Sequence, residues 1–326
     1  MRLNSVQETG TLQNINFRGK IIDAHVHCGQ WNFDSFPCQD VVQFFSKKFN
    51  NGKDYVDKVI ISNLDCIKND KDCRPLKDEM SGNLLLIKEA QKEQKLIPFV
   101  VCQPGHGSAE NIEILLKKYS KLIKGLKFHP TCLNLAANDI QYLPYMKLAE
   151  KYNKPCLFHS EVLSDAAGNI LRTGVSDPDY IYETAAKFPN IPVILGHMGL
   201  GGDKAHEIGI STLLKSIDKN DAKLYADISW VDWNNPEKPH IIDVIDKLLH
   251  SSNGDMTERL LFGTDAPLGE FGEKALKQQG AYDANIINIK TAIKKNFGKD
   301  ANKLISRIFY RNCKKLLEKQ NLDLSV

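Results

Sequence analysis

Two histidines one residue apart end the run Ile21-Ile22-Asp23-Ala24-His25-Val26-His27. On an extended strand, side chains at i and i+2 share a face, so His25 and His27 project together. Two imidazoles at a strand end make half a site for a divalent ion. His-x-His alone arises often by chance, so its meaning depends on what other strands bring to it. Later apolar runs end in groups of the same kind. Lys127 and His129 lie in IKGLKFH, His159 ends PCLFH, His197 ends PVILGH and Asp265 ends RLLFGTD. Singly, each has an ordinary explanation: a hydrogen-bonded core histidine, a capping aspartate, a lysine reaching out to solvent. Five runs that end in ligand-type groups predict one metal site.

Those ends must be brought together by a regular scaffold. Eight runs read as strands: Ile21 to His27, Val56 to Ser62, Leu96 to Cys102, Ile123 to His129, Pro155 to His159, Pro192 to His197, Lys223 to Ser229 and Arg259 to Asp265. Helical patterns alternate with them, at Val41 to Asn50, Gly82 to Gln94, Asn111 to Tyr119, Leu143 to Tyr152, Tyr180 to Phe188, Ile208 to Ile217 and His240 to His250. A last helical run, Asp300 to Gln320, closes the chain. Strand-helix alternation implies parallel pairing, and eight such units close a (β/α)8 TIM barrel with long βα loops. The expected organisation is one domain over residues 1–326, with a polar N-terminal extension at 1–18. Barrel enzymes carry their active sites at the C-terminal ends of the strands, where the polar residues fall.

The 326 residues are 42% hydrophobic and 25% charged, ordinary for a globular enzyme. A net charge of +3, with no basic tract interleaved with aromatics, argues against a nucleic-acid partner. No run is long enough to span a bilayer, and the polar start is neither signal peptide nor anchor. Eight cysteines are scattered singly, which suits reduced thiols in the cytoplasm. Cys66 and Cys73, flanking a charged loop, are read as free thiols. The expected partner is a small-molecule substrate, with homo-oligomerisation left open.

In this order, IIDAHVH, GLKFHP, CLFHSE, VILGHMG and LLFGTD resemble the amidohydrolase superfamily, and within it the amidohydrolase-related TIM-barrel branch of hydrolases and metal-dependent decarboxylases. The closing IFYRNCKKLL, with Asn312-Cys313, resembles that branch's final helix. The resemblance implies that His25, His27, His159 and Asp265 bind a metal. It makes His197 either a ligand of a second metal or an acid or base acting on substrate. It puts Lys127 where binuclear members carry a carboxylated lysine bridging two ions. One Zn²⁺ is the expected cofactor, with two ions, Mn²⁺ or Fe²⁺ as alternatives.

Three imidazoles and a carboxylate around Zn²⁺ leave room for a water whose pKa falls towards about 7. Asp265 then serves as general base and His197 polarises or protonates the substrate. The expected reaction is hydrolysis of an amide, ester or lactone. A second reading keeps the same site for non-oxidative decarboxylation of an aromatic or unsaturated acid. A third, a barrel that binds a ligand without turnover, predicts missing ligands. Near the site, Trp31, Phe33, Trp230 and Trp233 suggest an apolar wall. Glu161 and the loop arginines Arg172 and Arg74 are substrate-binding candidates.

Overall fold

The structure is a computed structural model that describes residues 19–31, 34–67, 75–165, 169–172, 174–201, 203–231, 240–268 and 279–318, with the side chains of residues 203 and 279 excepted. The N-terminal extension 1–18, Phe33, Cys73, Arg74 and Trp233 lie outside the described residues.

Eight parallel strands form the centre: β1 (Lys20–Trp31), β2 (Asp54–Asn63), β3 (Leu96–Val101), β4 (Gly125–Phe128), β5 (Cys156–Glu161), β6 (Pro192–Leu200), β7 (Lys223–Asp227) and β8 (Leu260–Leu261). Each pairs with the next, from β1 with β2 through to β7 with β8. The ring closes where the chain just after β8 meets β1. Ala24 N–H donates to Phe262 C=O at 2.8 Å, Asp265 N–H to His25 C=O at 2.8 Å, and His27 N–H to Ala266 C=O at 2.7 Å. Val26 and Ala266 pair in parallel across this seam. The fold is therefore an α/β TIM barrel, as its strand-helix alternation requires.

Among the described residues, a main helix follows each of the first seven strands: α1 (Cys38–Phe45), α2 (Glu79–Lys92), α3 (Ala109–Tyr119), α4 (Leu143–Lys151), α5 (Pro178–Ala186), α6 (Asp203–Lys219) and α7 (His240–Leu249). The eighth, α8 (Gln279–Phe297), has no counterpart among the helical patterns expected from the sequence. Its buried Tyr282, Ile286, Ile289 and Ile293 do recur at helical spacing. The expected terminal helix is real but broken. It runs as Ala301–Ser306, a π turn at Arg307–Arg311, and Asn312–Glu318.

Two apolar layers hold the barrel. A large cluster lies between strands and helices. A smaller one fills the lower barrel, where Ile22, Ala24, Ile60, Phe99, Leu157, Ile194 and Leu261 meet Tyr310, Cys313 and Leu316 of the terminal helix. Burying an aromatic such as Phe99 contributes about 1.5–3 kcal/mol. Gly125 makes room for it, since a Cβ there would sit 2.4 Å from the Phe99 ring. The β1–β2 register shifts between Asp23 and Val26. That irregularity reverses the alternation of faces. Ile22 and Ala24 therefore join the apolar floor, while His25 and His27 turn inward one layer above. Among the described residues, no helix is long and apolar enough to cross a membrane.

Candidate metal centre

Above the apolar floor the barrel interior becomes polar. His25, His27, Lys127, His159, His197, Asp227 and Asp265 are all buried there. The Nε2 atoms of His25 and His27 converge on one carboxylate oxygen, Oδ1 of Asp265, at 3.4 and 3.0 Å. The other Asp265 oxygen accepts the Trp230 indole N–H at 2.9 Å. His25, His27 and Asp265 form one of two groups compact enough for a shared ion among the described residues, and His25, His197 and Asp227 form the other. In the second group, Asp227 is already an acceptor for His25, Ser229 and two main-chain N–H groups, so the first has the freer donor atoms.

The remaining candidates distribute around that core. Lys127 Nζ lies 2.8 Å from His25 Nε2. The His197 ring stacks on His25 with centroids 4.7 Å apart, and its Nε2 lies 3.2 Å from His159 Nδ1. His159 is thus held beside His197 and outside both compact groups. Its Nε2 faces Glu161 at 3.7 Å, and Glu161 accepts the Thr131 hydroxyl at 3.0 Å. His129 stacks on His159 at 4.0 Å, with the Trp31 ring 6.2 Å beyond it. Trp31 and Glu161 therefore join the cluster through these neighbours. Arg172 is not drawn into it, because its guanidinium pairs with Asp177 at 2.9 Å and with Asp179.

Local backbone and small residues make this crowding possible. Asp265 and His197 take φ of 62° and 63°, left-handed conformations that turn their side chains away from the regular alternation of a strand. Gly196 leaves space beside His25, since a Cβ there would lie 2.8 Å from the Phe158 carbonyl oxygen and 3.1 Å from His25 Cε1. Gly263 does the same on the other side, where a Cβ would come within 3.1 Å of His25 Cβ.

Burial sets the protonation states. It drives His27 down to about 4, against the pull of Asp265, and holds His159 and His197 below the usual imidazole value. Burial alone would raise Asp265, but the His197, His25 and His27 imidazoles outweigh it and hold the carboxyl well below its usual range. Burial also lowers the Lys127 amine to about 8, opposed by Asp265 and Asp227. Imidazole nitrogens around an ionised carboxylate are the donor set that a borderline divalent cation takes. The residues present therefore fit such an ion.

Several supporting residues were not singled out in the sequence. Asp227 Oδ2 is 3.0 Å from His25 Nδ1, Ser62 Oγ is 2.8 Å from His27 Nδ1, and Ser229 Oγ is 2.7 Å from His197 Nδ1. Their one signal was position, each falling at or just after the end of a strand. Asp23 lies lower, accepting from Thr264 and Tyr282, and burial raises its carboxyl to about 7.

Solved structures with the same fold include three informative relatives. A protein described as an amidohydrolase from Staphylococcus aureus aligns with TM-score 0.59 at 16% identity, covering 92% of this chain and 99% of its own. A protein described as a 2-pyrone-4,6-dicarboxylic acid hydrolase from Acinetobacter baumannii, with citric acid bound, aligns with TM-score 0.58 at 15% identity, covering 91% and 99%. The 5-carboxyvanillate decarboxylase of Novosphingobium aromaticivorans, with manganese and 3-methoxy-4-hydroxy-5-nitrobenzoic acid bound, gives TM-score 0.55 at 14% identity, covering 91% and 97%. No curated protein matches the chain. The model of the family described as Amidohydrolase matches residues 79–318, most of the chain, including Lys127, His159, His197, Asp227 and Asp265. The chain belongs to this amidohydrolase family of metal-dependent enzymes.

Proposed function

We propose that the protein is a metal-dependent hydrolase that cleaves an amide, ester or lactone bond of a small molecule. The observation that carries this reading is the meeting of His25 Nε2 and His27 Nε2 on Asp265 Oδ1 inside a buried, histidine-rich cluster. His25, His27 and Asp265, with His159 completing the set, are the proposed ligands of one ion, Zn²⁺ first, with Mn²⁺ and Fe²⁺ as alternatives. Lys127 and His197 are the residues that would serve a second ion. A divalent ion held there supplies Lewis acidity and lowers the pKa of water in its field towards about 7.

The chain's own groups do the rest. Asp265, kept ionised and anchored through Oδ2 by Trp230, accepts the proton of the attacking water at Oδ1. It then returns that proton to the leaving nitrogen or oxygen. His197, whose Nε2 lies 3.2 Å from His159 Nδ1, is the second acid–base candidate. Lys127, buried and cationic at neutral pH, favours a developing oxyanion nearby. Trp31 and Glu161 are proposed to contact substrate. A cytoplasmic setting fits the free thiols at all seven described cysteines.

The purified protein, loaded with Zn²⁺ or Mn²⁺, is tested on panels of lactones, esters and amides, and separately on benzoate-type acids while carbon dioxide is followed. Hydrolysis within the first panel, lost in Asp265→Ala, is expected. Carbon dioxide release from the acids with no hydrolysis would overturn the reading in favour of a decarboxylase.

A further inference from the structure

Asp227 stands at the end of β7, on the one strand among β4 to β8 to which neither a ligand nor a catalytic role has been given. Its two oxygens gather four donors. Oδ1 accepts main-chain N–H groups from His197 and Ser229, each at 3.1 Å, and also the Ser229 hydroxyl. Oδ2 faces His25 Nδ1 at 3.0 Å. Main-chain N–H groups only donate, so Oδ1 carries no proton and the Ser229 hydroxyl hydrogen is committed to it. Ser229 Oγ, 2.7 Å from His197 Nδ1, must then accept, which puts a hydrogen on His197 Nδ1 and leaves the lone pair on Nε2. The same logic holds for His25. Asp227 Oδ2, an oxygen of that same acceptor carboxylate, lies 3.0 Å from His25 Nδ1, so Nδ1 carries the hydrogen and the lone pair falls on Nε2, 2.8 Å from Lys127 Nζ.

We infer that Asp227, directly on His25 and through Ser229 on His197, is a positioning residue that fixes both rings as Nδ1–H tautomers with Nε2 lone pairs aimed into the site. This role rests on the metal-site reading and gives it a cause. Two imidazoles from β1 and β6 are set by one carboxylate from β7, so the ligating atom of His25 and the acid–base atom of His197 are preorganised before any ion arrives. The arrangement also explains the packing around Asp227. A Cβ at Gly263 would come within 3.0 Å of Asp227 Cβ, so a larger residue there would displace the carboxylate from both rings.

The test uses the full chain stripped by a chelator, with ring-nitrogen NMR for tautomers and competition against a chromophoric chelator for Zn²⁺ affinity. The wild type should show His25 and His197 as Nδ1–H tautomers. Asp227→Asn should weaken Zn²⁺ binding about 10- to 100-fold, the range found when partners of metal-binding histidines are removed. Ser229→Ala should alter the His197 ring signals and leave those of His25 in place, and it serves if Asp227→Asn does not fold. Wild-type affinity in folded Asp227→Asn, or an unchanged His197 tautomer in Ser229→Ala, would overturn the assignment. A wild type that shows these tautomers and binds no Zn²⁺ would instead sink the metal-site reading and leave the positioning role standing.

Discussion

Asp265, His197 and Trp230 hold φ of 62°, 63° and 65°, a left-handed conformation that costs a residue with a Cβ on the order of 1–3 kcal/mol. Such conformations persist where surrounding contacts over-determine them, and these three side chains all reach the same cluster. The Trp230 indole N–H fixes Asp265 Oδ2 and leaves Oδ1 for the reaction. Trp230→Phe keeps an aromatic ring at this position and deletes that donor. A hydrogen bond to a charged group contributes about 1.5–3 kcal/mol, so kcat should fall about 10- to 100-fold while metal content stays constant. Steady-state kinetics with metal analysis checks this, and an unchanged kcat would remove Trp230 from the site. The histidines and Asp265 were legible because each ends an apolar run, where a polar group has no filler role. Asp227, Ser62 and Ser229 were not, because aspartate and serine are also ordinary turn and capping residues. Only the folded geometry distinguishes a turn aspartate from one that grips an imidazole.

Elements were legible where burial imposes a period. Seven of the eight strands were readable as apolar runs several residues long, and their ends moved by a few residues at most. The exception is β8, where regular pairing with β7 covers only Leu260 and Leu261 and the following residues turn to β1 instead. Helix α8 was missed because polar residues interrupt its buried positions. Just before β5, Lys154 is 3% exposed and donates to the Ser120 carbonyl at the end of α3 at 2.9 Å. Burial, with Lys124 nearby, lowers its amine from 10.5 to about 8. Between about pH 8 and 10.5 the unfolded chain still binds this proton and the folded chain has lost it, so this group makes stability rise with pH across that window. The shift corresponds to about 3 kcal/mol. Denaturant unfolding of Lys154→Met should lose that rise and show higher stability at pH 7. If the rise persisted unchanged, Lys154 would not be its source.

For the whole molecule, the barrel followed from the count and alternation of strands, since eight parallel units have few other ways to cover both faces of a sheet. What no local pattern revealed is how the ring is sealed. The residues proposed to hold the ion are also those that close it, with Asp265 N–H bonded to the His25 carbonyl and His27 N–H to that of Ala266. An ion held by His25, His27 and Asp265 would therefore staple the first strand to the chain just after the last. At a 100-fold excess over Kd, a ligand bound only by the folded state adds about 2.7 kcal/mol. Stripping the metal should lower Tm by several degrees and Zn²⁺ should restore it, with no such gain in His27→Ala. Equal Tm values for stripped and loaded wild type would refute the staple. His27 and Asp265 are 238 residues apart along the chain. Bringing them together is among the longest loop closures available to this polypeptide, and it comes at a large entropic cost. A nascent chain offers the proposed imidazole ligands without their carboxylate until Asp265 arrives with the last strand. On the proposed ligand set, high-affinity metal capture would become a read-out of completed folding, and a truncated barrel would be left without it.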